Sequence, residues 1–321
     1  MILTDYSALC IASITGAVFR EKITLNDNLL RHIILNKYRE LNVKLSSQFG
    51  ELLVLCDSKS WRKDYFPYYK AHRQKLKDDS VIDWDMVFRV MDEMKVILHE
   101  NFPFYVVSVK NCEADDLIAA FAYKADSPVC IVSKDKDFYQ LQKNPLVKQW
   151  DYSSKDFIEI NEPDYFRNEL IIKGDSGDGV PNILSDDDTF VTEGKRQKPI
   201  TKKRLQDLMI HTKDDFVSAP VELRRNWERN KKLIDLLEPV DIAFEGIENF
   251  NEQKLNKNVS QGDTMKYLAE NKMVVLLGKM TDFYRKGERK ENGSTPLPRN
   301  VDEENSGRKV QDWSLEQFIN S

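Results

Sequence analysis

The stretch FYVVSVKNCEADDLIAAFAYKADSPVCIVSKD, residues 104–135, places two Val- and Ile-rich runs on either side of an amphipathic segment. The runs FYVVSVK (104–110) and PVCIVSKD (128–135) are typical of strands, and residues 114–125 predict a helix. A strand, a helix and a second strand in this order predict parallel pairing through a right-handed crossover. The expected fold class is therefore α/β, with a mainly parallel central sheet flanked by helices.

The same pattern recurs along the first half of the chain. Helices are predicted over residues 25–40 and 83–100. Further strands are predicted at MILTD (1–5), ELLVLCD (51–57) and PLVKQWD (145–151).

Acidic side chains follow the predicted strands at their carboxyl ends. Asp5 and Asp57 close two runs, the group EADD (113–116) follows a third, and Asp135 and Asp137 follow a fourth. Because the carboxyl ends of parallel strands meet at one edge, these acids are expected to lie close together. Like charges at such distances stay ionised only beside a cation. Carboxylate oxygens suit Mg²⁺, with Mn²⁺ as a substitute, so two or more divalent cations are predicted at this edge.

The EADD group also has a purely structural interpretation. Asp115 or Asp116 could simply cap the helix that follows. Glu113 and Asp115 would diverge by about 200° on a helix, so both can reach a metal only if the turn is non-helical there. The spacing leaves the two interpretations open.

The composition excludes several kinds of protein. No apolar run approaches the length of a membrane span and no secretory leader opens the chain, so we expect no membrane association. The four cysteines form no CxxC and are expected to be reduced thiols of a cytoplasmic protein. The four histidines are scattered, so neither a zinc site nor a Ser/His or Cys/His pair is predicted.

Charge is unevenly distributed along the chain. With 48 Lys and Arg against 53 Asp and Glu, the net charge is −5, which by itself argues against nucleic acid. However, residues 58–80 carry seven Lys or Arg against three Asp, and residues 195–204 carry six and no acid. These two basic islands predict local contacts with anions.

A glycine-rich segment, IIKGDSGDGVPNIL (171–184), holds a second acidic pair, Asp175 and Asp178. Turns of this kind present amide N–H groups to a phosphate or carbonyl groups to a monovalent cation. Taken alone, the segment is equally typical of an ordinary turn.

As an ordered set, these motifs resemble the 5′ nuclease (flap endonuclease) superfamily, and within it the ribonuclease H branch of T-even-type bacteriophages, which are 5′→3′ exonucleases. The similarity continues with less detail to about residue 285. It is carried by CDSKSWRKDYFPYYKAHR (56–73), CEADDLIA (112–119), SKDKDFYQL (133–141), VKQW (147–150) and KGDSGDGVPNI (173–183).

The resemblance implies a two-Mg²⁺ nuclease that hydrolyses RNA primers in RNA–DNA hybrids and also branched or flapped DNA during phage DNA replication. It implies that the first metal is surrounded by Asp5, Asp57, Glu113, Asp115, Asp116 and Asp135. It implies that the second metal is served by Asp137, Asp175 and Asp178.

The basic segment 58–80 matches the family's arch over the active site. The resemblance implies that Lys70 and Arg73 reach the scissile phosphate and that Tyr69 stacks on an unpaired base. Five other cations of the segment are implied to contact nucleic acid: Lys59, Arg62, Lys63, Lys75 and Lys77. The segment could instead be a solvated surface helix whose aromatic residues, Trp61, Tyr65 and Phe66, pack inward.

The resemblance also implies a smaller helical domain with a helix–loop–helix element that grips DNA, with Gly177 and Gly179 at its loop and K⁺ bound at residues 174–183. The chain departs from the cellular pattern, because LSDDDTFVTEGKRQKPI (184–200) intervenes before the next helix. We therefore expect a retained but remodelled grip. Thr201 is the predicted N-cap of that helix, and its first residues are expected to meet phosphate: Lys202, Lys203 and Arg204.

From about residue 286 the chain becomes polar, which is typical of a flexible linker, and it ends in QDWSLEQFINS. That ending resembles the tails by which phage replication proteins bind the sliding clamp, although it could also fold back on its own domain. A single-stranded-DNA-binding protein is a further candidate partner, and we expect a monomer. The predicted docking residues are Trp313, Leu315, Phe318 and Ile319.

These patterns predict three parts: a catalytic domain (1–168), a helical DNA-binding domain (169–285) and a tail (286–321). A PIN-type ribonuclease shares the sheet and the acids but ordinarily lacks the glycine-rich motif and the long basic arch. The motifs are also compatible with a catalytically silent DNA-structure binder and with a replisome adaptor that acts through its tail.

Overall fold

A six-stranded sheet crosses the part of the chain that the computed structural model describes, residues 1–21, 23–71 and 82–284. The strand order is β3-β2-β1-β4-β5-β6. The strands are β1 (Ile2–Asp5), β2 (Leu52–Cys56), β3 (Tyr105–Ser108), β4 (Val129–Val132), β5 (Val147–Asp151) and β6 (Asp156–Ile158).

All neighbouring strands are parallel except β5 and β6. In the centre of the sheet, β1 pairs with β2 on one side and with β4 on the other, and Asp5 lies opposite Leu55. The chain therefore winds outward in both directions from β1. The strand order reverses between β1 and β4, which is where ligands bind in sheets of this kind.

Helices connect and cover the strands, as the sequence predicted. The helix after β3 begins at Ala114 and buries Leu117 and Ile118 against the sheet. The helices of the first part are α1 (Tyr6–Glu21), α2 (Asp27–Phe49), α3 (Arg62–Tyr65), α4 (Trp84–Asn101) and α5 (Ala114–Tyr123), followed by a 3₁₀ segment, Lys136–Lys143.

The rest of the described chain is helical. Its first helices enclose a second apolar cluster, in which Phe216 and Trp227 stack with ring centroids 4.4 Å apart. Its helices are α6 (Pro163–Lys173), α7 (Lys202–Met209), α8 (Val221–Ile234), α9 (Glu245–Asn256), α10 (Gln261–Glu270) and α11 (Val274–Leu277), with 3₁₀ segments at Ile210–Asp214, Asp241–Phe244 and Met280–Phe283.

The later helices return to the sheet rather than standing apart from it. Helix α9 lies on β3, where the Gln253 amide donates to the Val106 carbonyl (2.7 Å) and accepts from its N–H (3.2 Å). The described residues belong to one unit, Met1–Gly287. None of their helices is long and apolar enough to span a membrane.

The predicted mainly parallel α/β sheet followed by helices is confirmed, as are the five predicted strands. Among the elements that the sequence did not predict are α1 and the antiparallel β6. A strand of three residues is too short to show a periodicity. The four cysteines are buried free thiols, as predicted.

Candidate active site

Acidic side chains meet where the strand order reverses. Asp5 is the last residue of β1, Asp57 follows β2, and Asp135 comes shortly after β4. Asp115 joins them from the first turn of α5. That helix start is tied to the sheet edge because the Ala114 N–H donates to Asp57 Oδ1 (2.9 Å). We call Asp5, Asp57, Asp115 and Asp135 the first acid group.

The pKa values of this group show how strongly its members interact. Burial, and next the charge of Asp57, raise the pKa of Asp5 to about 7. Burial and then the charge of Asp5 raise the pKa of Asp115 well above its usual range. The neighbouring carboxylates therefore make Asp5 and Asp115 harder to ionise unless positive charge is added.

A second acid group consists of Asp135, Asp137, Asp175 and Asp178. Burial, followed by Asp135 and Asp175, raises the pKa of Asp137 well above its usual range. Burial and then Asp178 raise the pKa of Asp175. Because Asp135 acts on both Asp5 and Asp137, it belongs to both groups.

The donor chemistry of both groups fits hard divalent cations, because every side chain offers only carboxylate oxygens. Among residues 1–21, 23–71 and 82–284, no three His, Cys, Asp or Glu side chains are arranged around one metal position. In this arrangement the carboxyl groups repel one another when they are ionised, and bound protons would relieve that repulsion by adding positive charge. Cations between the carboxylates would supply the same positive charge.

Glu113 is held by cations from the segment after β2. Its two oxygens contact Lys70 Nζ (2.6 Å) and Arg62 Nη1 (2.9 Å), and the Ser60 hydroxyl donates to it (2.9 Å). Burial opposes its ionisation, but Lys70 and Arg62 together lower the pKa of Glu113. Glu113 is therefore ionised, and its charge is balanced by the protein itself.

Asp116 has the structural role of a helix cap, the second of the two interpretations of EADD. Its side chain accepts from the Glu113 N–H (2.9 Å) and completes a capping box at the start of α5. It also pairs with Arg62 Nη2 (2.8 Å), and it is absent from the main charges that raise the pKa of Asp5, Asp115 or Asp137. The oxygens of Asp116 thus contact the helix start and a buried guanidinium, and its role near the first metal stays a prediction.

Lys70 and Tyr69 connect the two sides of the site. Lys70 adopts a left-handed backbone conformation (φ 56°), and its N–H donates to the Asp178 carbonyl (2.8 Å). Its Nζ lies 2.6 Å from Glu113 and 3.6 Å from Asp178. The Tyr69 hydroxyl lies within 2.9 Å of Glu113 and 2.6 Å of Asp178. Tyr69 and Lys70 therefore connect Glu113, at the start of helix α5, to Asp178 in the glycine-rich loop.

Comparison with known proteins matches most of the chain. Residues 29–170 match the model of the 5′-3′ exonuclease N-terminal resolvase-like domain, and residues 164–283 match that of the T4 RNase H C-terminal domain. The ribonuclease H of Enterobacteria phage T4 is 32% identical over 274 residues, which cover 79% of this chain and 87% of that protein. The chain belongs to the 5′-3′ exonuclease family. It is a structure-specific 5′ nuclease, as the sequence predicted.

Other relatives of this 5′ nuclease match a smaller part of the chain or resemble it in fold at low sequence identity. The flap endonuclease Xni of Shewanella pealeana is 33% identical over 139 residues, 40% of this chain and 50% of that protein. The fold resembles zinc-bound T5 5′-exonuclease, with a TM-score of 0.53 and 15% identity over 85% of this chain and 98% of the other. It also resembles a T5 D15 flap endonuclease complex with DNA and metal ions, with a TM-score of 0.51 and 16% identity over 84% and 98%.

Two residues of the nuclease's basic segment lie elsewhere than predicted. Arg62 was expected to contact nucleic acid, but its side chain is only 4% exposed and it also donates to the Leu233 carbonyl (2.9 Å). Tyr69 was expected to stack on a base, but it is 3% exposed within the second apolar cluster. Phe66 packs inward there too, as in the surface-helix interpretation, whereas Tyr65 is 49% exposed.

The remaining predicted cations are exposed or lie outside the described residues. Lys59 is exposed and pairs with Asp64 (3.3 Å), and Lys63 is exposed beside it. Seven predicted positions lie outside the described residues: Arg73, Lys75, Lys77, Trp313, Leu315, Phe318 and Ile319.

The amides of the two loop glycines donate to acceptors within the loop itself. The Gly177 N–H donates to Asp175 Oδ1 (2.7 Å), and the Gly179 N–H donates to the Ser176 carbonyl (3.3 Å). In the described structure, these two N–H groups therefore shape the loop. The predicted cap at Thr201 is confirmed, because its hydroxyl accepts from the Arg204 N–H (3.2 Å). Lys202, Lys203 and Arg204 are exposed at that helix start.

The sequence did not predict the role of Ser60 or the interior role of Arg62. The available signal was the unbalanced charge of EADD, which lies beside a single cation, Lys110, in the sequence. A buried acid pair requires a buried cation, and the nearby basic island was the place to look for one.

Proposed function

We propose that this 5′ nuclease is a Mg²⁺-dependent 5′→3′ exonuclease and flap endonuclease that removes RNA primers and DNA flaps during phage DNA replication. The main support for this proposal is that the two acid groups share Asp135 and lie where the strand order of the sheet reverses. Two overlapping carboxylate groups match a two-metal site better than a single-metal site. Mn²⁺ is the expected substitute, and the host cytoplasm is the proposed location.

The first acid group would hold one ion and the second acid group the other, with Asp135 between them. When bound, such ions supply Lewis-acid activation of water and stabilisation of the departing oxygen. Lys70 adds a fixed cation: burial opposes its charge, but Asp178 and Glu113 raise its pKa, so the ammonium stays protonated. It is thereby placed to donate to a phosphate oxygen at the mouth of the site.

Substrate contacts are proposed at the exposed cations. Lys59 and Lys63 flank the site on the basic segment, and Lys202, Lys203 and Arg204 lie at the start of α7. Cations at a helix N-terminus oppose the helix dipole, which favours a phosphate-binding role. In this scheme the catalytic domain (1–168) cleaves the substrate, and the helical domain (169–285) binds RNA–DNA hybrids or flapped DNA. The tail 286–321 docks a sliding clamp or a single-stranded-DNA-binding protein.

The test is cleavage of a labelled 5′-RNA–DNA/DNA duplex and a 5′-flap substrate in Mg²⁺ or EDTA. We expect short 5′ products from the wild type in Mg²⁺ only, and at least about 100-fold slower cleavage by Asp135→Asn, because metal stabilisation supplies several kcal/mol. Asp126→Asn, an exposed carboxylate after α5, is the matched control and should cleave normally. A wild type that binds the flap but never cuts it would favour the silent DNA-structure binder.

A further inference from the structure

The glycine-rich loop and the residues just after it turn several backbone carbonyls inward, toward helix α8. Resemblance to other 5′ nucleases implies K⁺ bound at residues 174–183, and a monovalent cation there would need several carbonyl oxygens as ligands. Whether K⁺ fits therefore depends on which groups those oxygens already contact.

Side chains of α8 occupy these carbonyls. The Pro181 carbonyl accepts from Arg229 Nη2 (2.8 Å) and from Asn230 Nδ2 (2.9 Å). The Ile183 carbonyl accepts from Asn226 Nδ2 (2.9 Å). Asn230 is fully buried, so its two carbonyl contacts, at Pro181 and at Ile171 (2.8 Å), are shielded from water. The carbonyls of Pro181 and Ile183, at the end of the range where K⁺ is implied, thus already accept hydrogen bonds from α8.

Arg229 brings a positive charge to the same place. Its side chain is 6% exposed, and its Nη2 is also 3.5 Å from the Asn182 carbonyl. Its Nη1 pairs with Asp187, and its Nε donates to Asn230 Oδ1 (2.9 Å). A guanidinium stays protonated inside proteins, so this buried group is a permanent cation with its counter-ion supplied by the insertion 184–200.

The insertion explains how the arrangement is held together. Asp187 lies in the segment that departs from the cellular pattern, and it pairs with both Arg225 and Arg229. Without Asp187, Arg229 would be a buried charge that has lost its counter-ion, which is strongly unfavourable. The departure in sequence therefore coincides with a local ion pair.

We infer that Arg229 is the internal cation of the glycine-rich loop, in the place where K⁺ is implied, and that DNA binding by this nuclease does not require K⁺. Arg229 is a positioning residue: it acts on DNA through the loop that carries Asp175 and Asp178. The inference rests on the proposed function in one respect, since it assumes that the chain binds flapped DNA.

The first experiment measures the Kd of the full chain for a 5′-flap substrate, with Ca²⁺ replacing Mg²⁺ to slow cleavage. K⁺ is exchanged for tetramethylammonium, which is too large to sit between carbonyls, at constant ionic strength. We expect the two Kd values to agree within twofold. A Kd at least fivefold lower in K⁺ would overturn the inference, whereas no flap binding in either salt would overturn the proposed function instead.

The second experiment compares Arg229→Met with Arg225→Met. Arg225 also pairs with Asp187 and donates to Asn226 Oδ1 (3.0 Å), but its side chain is 61% exposed. Its loss removes these two contacts and leaves the donors to the Pro181 and Ile183 carbonyls in place. We expect Arg225→Met to bind like the wild type in both salts. Arg229→Met should bind at least tenfold more weakly in tetramethylammonium and recover part of that loss in K⁺. The inference would be contradicted if Arg229→Met bound the substrate with wild-type affinity. It would also be contradicted if Arg229→Met bound more weakly and its Kd did not change when K⁺ was added.

Discussion

At the scale of single residues, Arg62 determines how three neighbouring acids behave. It contacts both Glu113 and Asp116 from a side chain that is 4% exposed. Asp115, which lies between them in sequence, is instead turned into the first acid group. One buried cation thus separates the acids that cap and brace α5 from the acid that remains unbalanced at the site.

Replacing Arg62 tests this division. Arg62→Met removes the cation that pairs with buried Asp116 and one of the two cations that pair with buried Glu113. We therefore expect a loss of about 3–5 kcal/mol in the free energy of unfolding, measured in urea. Lys63→Met is the matched control, because Lys63 is the next residue and is exposed. Its effect should stay within about 0.5 kcal/mol. A change below about 1 kcal/mol for Arg62→Met would show that Lys70 alone balances Glu113.

At the scale of elements, the glycine-rich loop depends on a close approach between its two ends. Gly174 ends α6 with a positive φ of 68°, and a Cβ added there would lie 2.6 Å from the Pro181 carbonyl carbon. The Val180 N–H bonds back to the Asp175 carbonyl (2.7 Å). The loop therefore closes on a position where no side chain fits, and this closure places Asp175 and Asp178.

Two glycine substitutions distinguish the cost of a steric clash at Gly174 from the cost of backbone strain alone. Gly174→Ala introduces a steric clash and also forces an alanine to adopt a positive φ. We therefore expect it to destabilise the protein by more than about 3 kcal/mol and to lower cleavage. Gly194→Ala adds only the strain, since Gly194 has a φ of 75° and nothing within 4 Å, and should cost about 1 kcal/mol. Denaturant unfolding of both variants is the measurement. Equal costs would mean that the close approach is not needed.

At the scale of the whole molecule, the later helices are fastened to the catalytic sheet. Helix α9 lies on β3, and Lys257 at its end donates to the Phe104 carbonyl and lies over the Tyr105 ring (5.6 Å). Burial lowers the pKa of Lys257 to about 7. This junction is therefore sensitive to pH above neutrality.

The sign follows from proton binding. Between about pH 7 and pH 10, the unfolded chain binds a proton at Lys257 that the folded chain does not, so folding becomes more favourable as pH rises. Relative to Lys257→Met, wild-type stability should rise by up to about 1.4 kcal/mol per pH unit in this window. Urea unfolding of both proteins at pH 7, 8 and 9 checks this. Parallel pH dependences would mean that Lys257 keeps its ordinary pKa in the folded protein.

The sequence by itself determined the architecture and the position of the acids. Val- and Ile-rich runs alternating with amphipathic segments require parallel strands, and acids placed after those runs must meet at one edge. That is why Asp5, Asp57 and Asp135 were predicted together. These inferences depend on local periodicity and on the order of the predicted elements, and both can be read from the sequence.

Only the tertiary structure decided how individual charges are shared. The sequence could not show that Arg62 lies inside, that Tyr69 joins Glu113 to Asp178, or that Arg229 reaches the Pro181 carbonyl. These contacts join residues more than 40 positions apart, and a long polar side chain can be solvated or buried with the same local sequence. Burial and counter-charge belong to the packed molecule, and they separate a metal-facing acid from one that caps a helix.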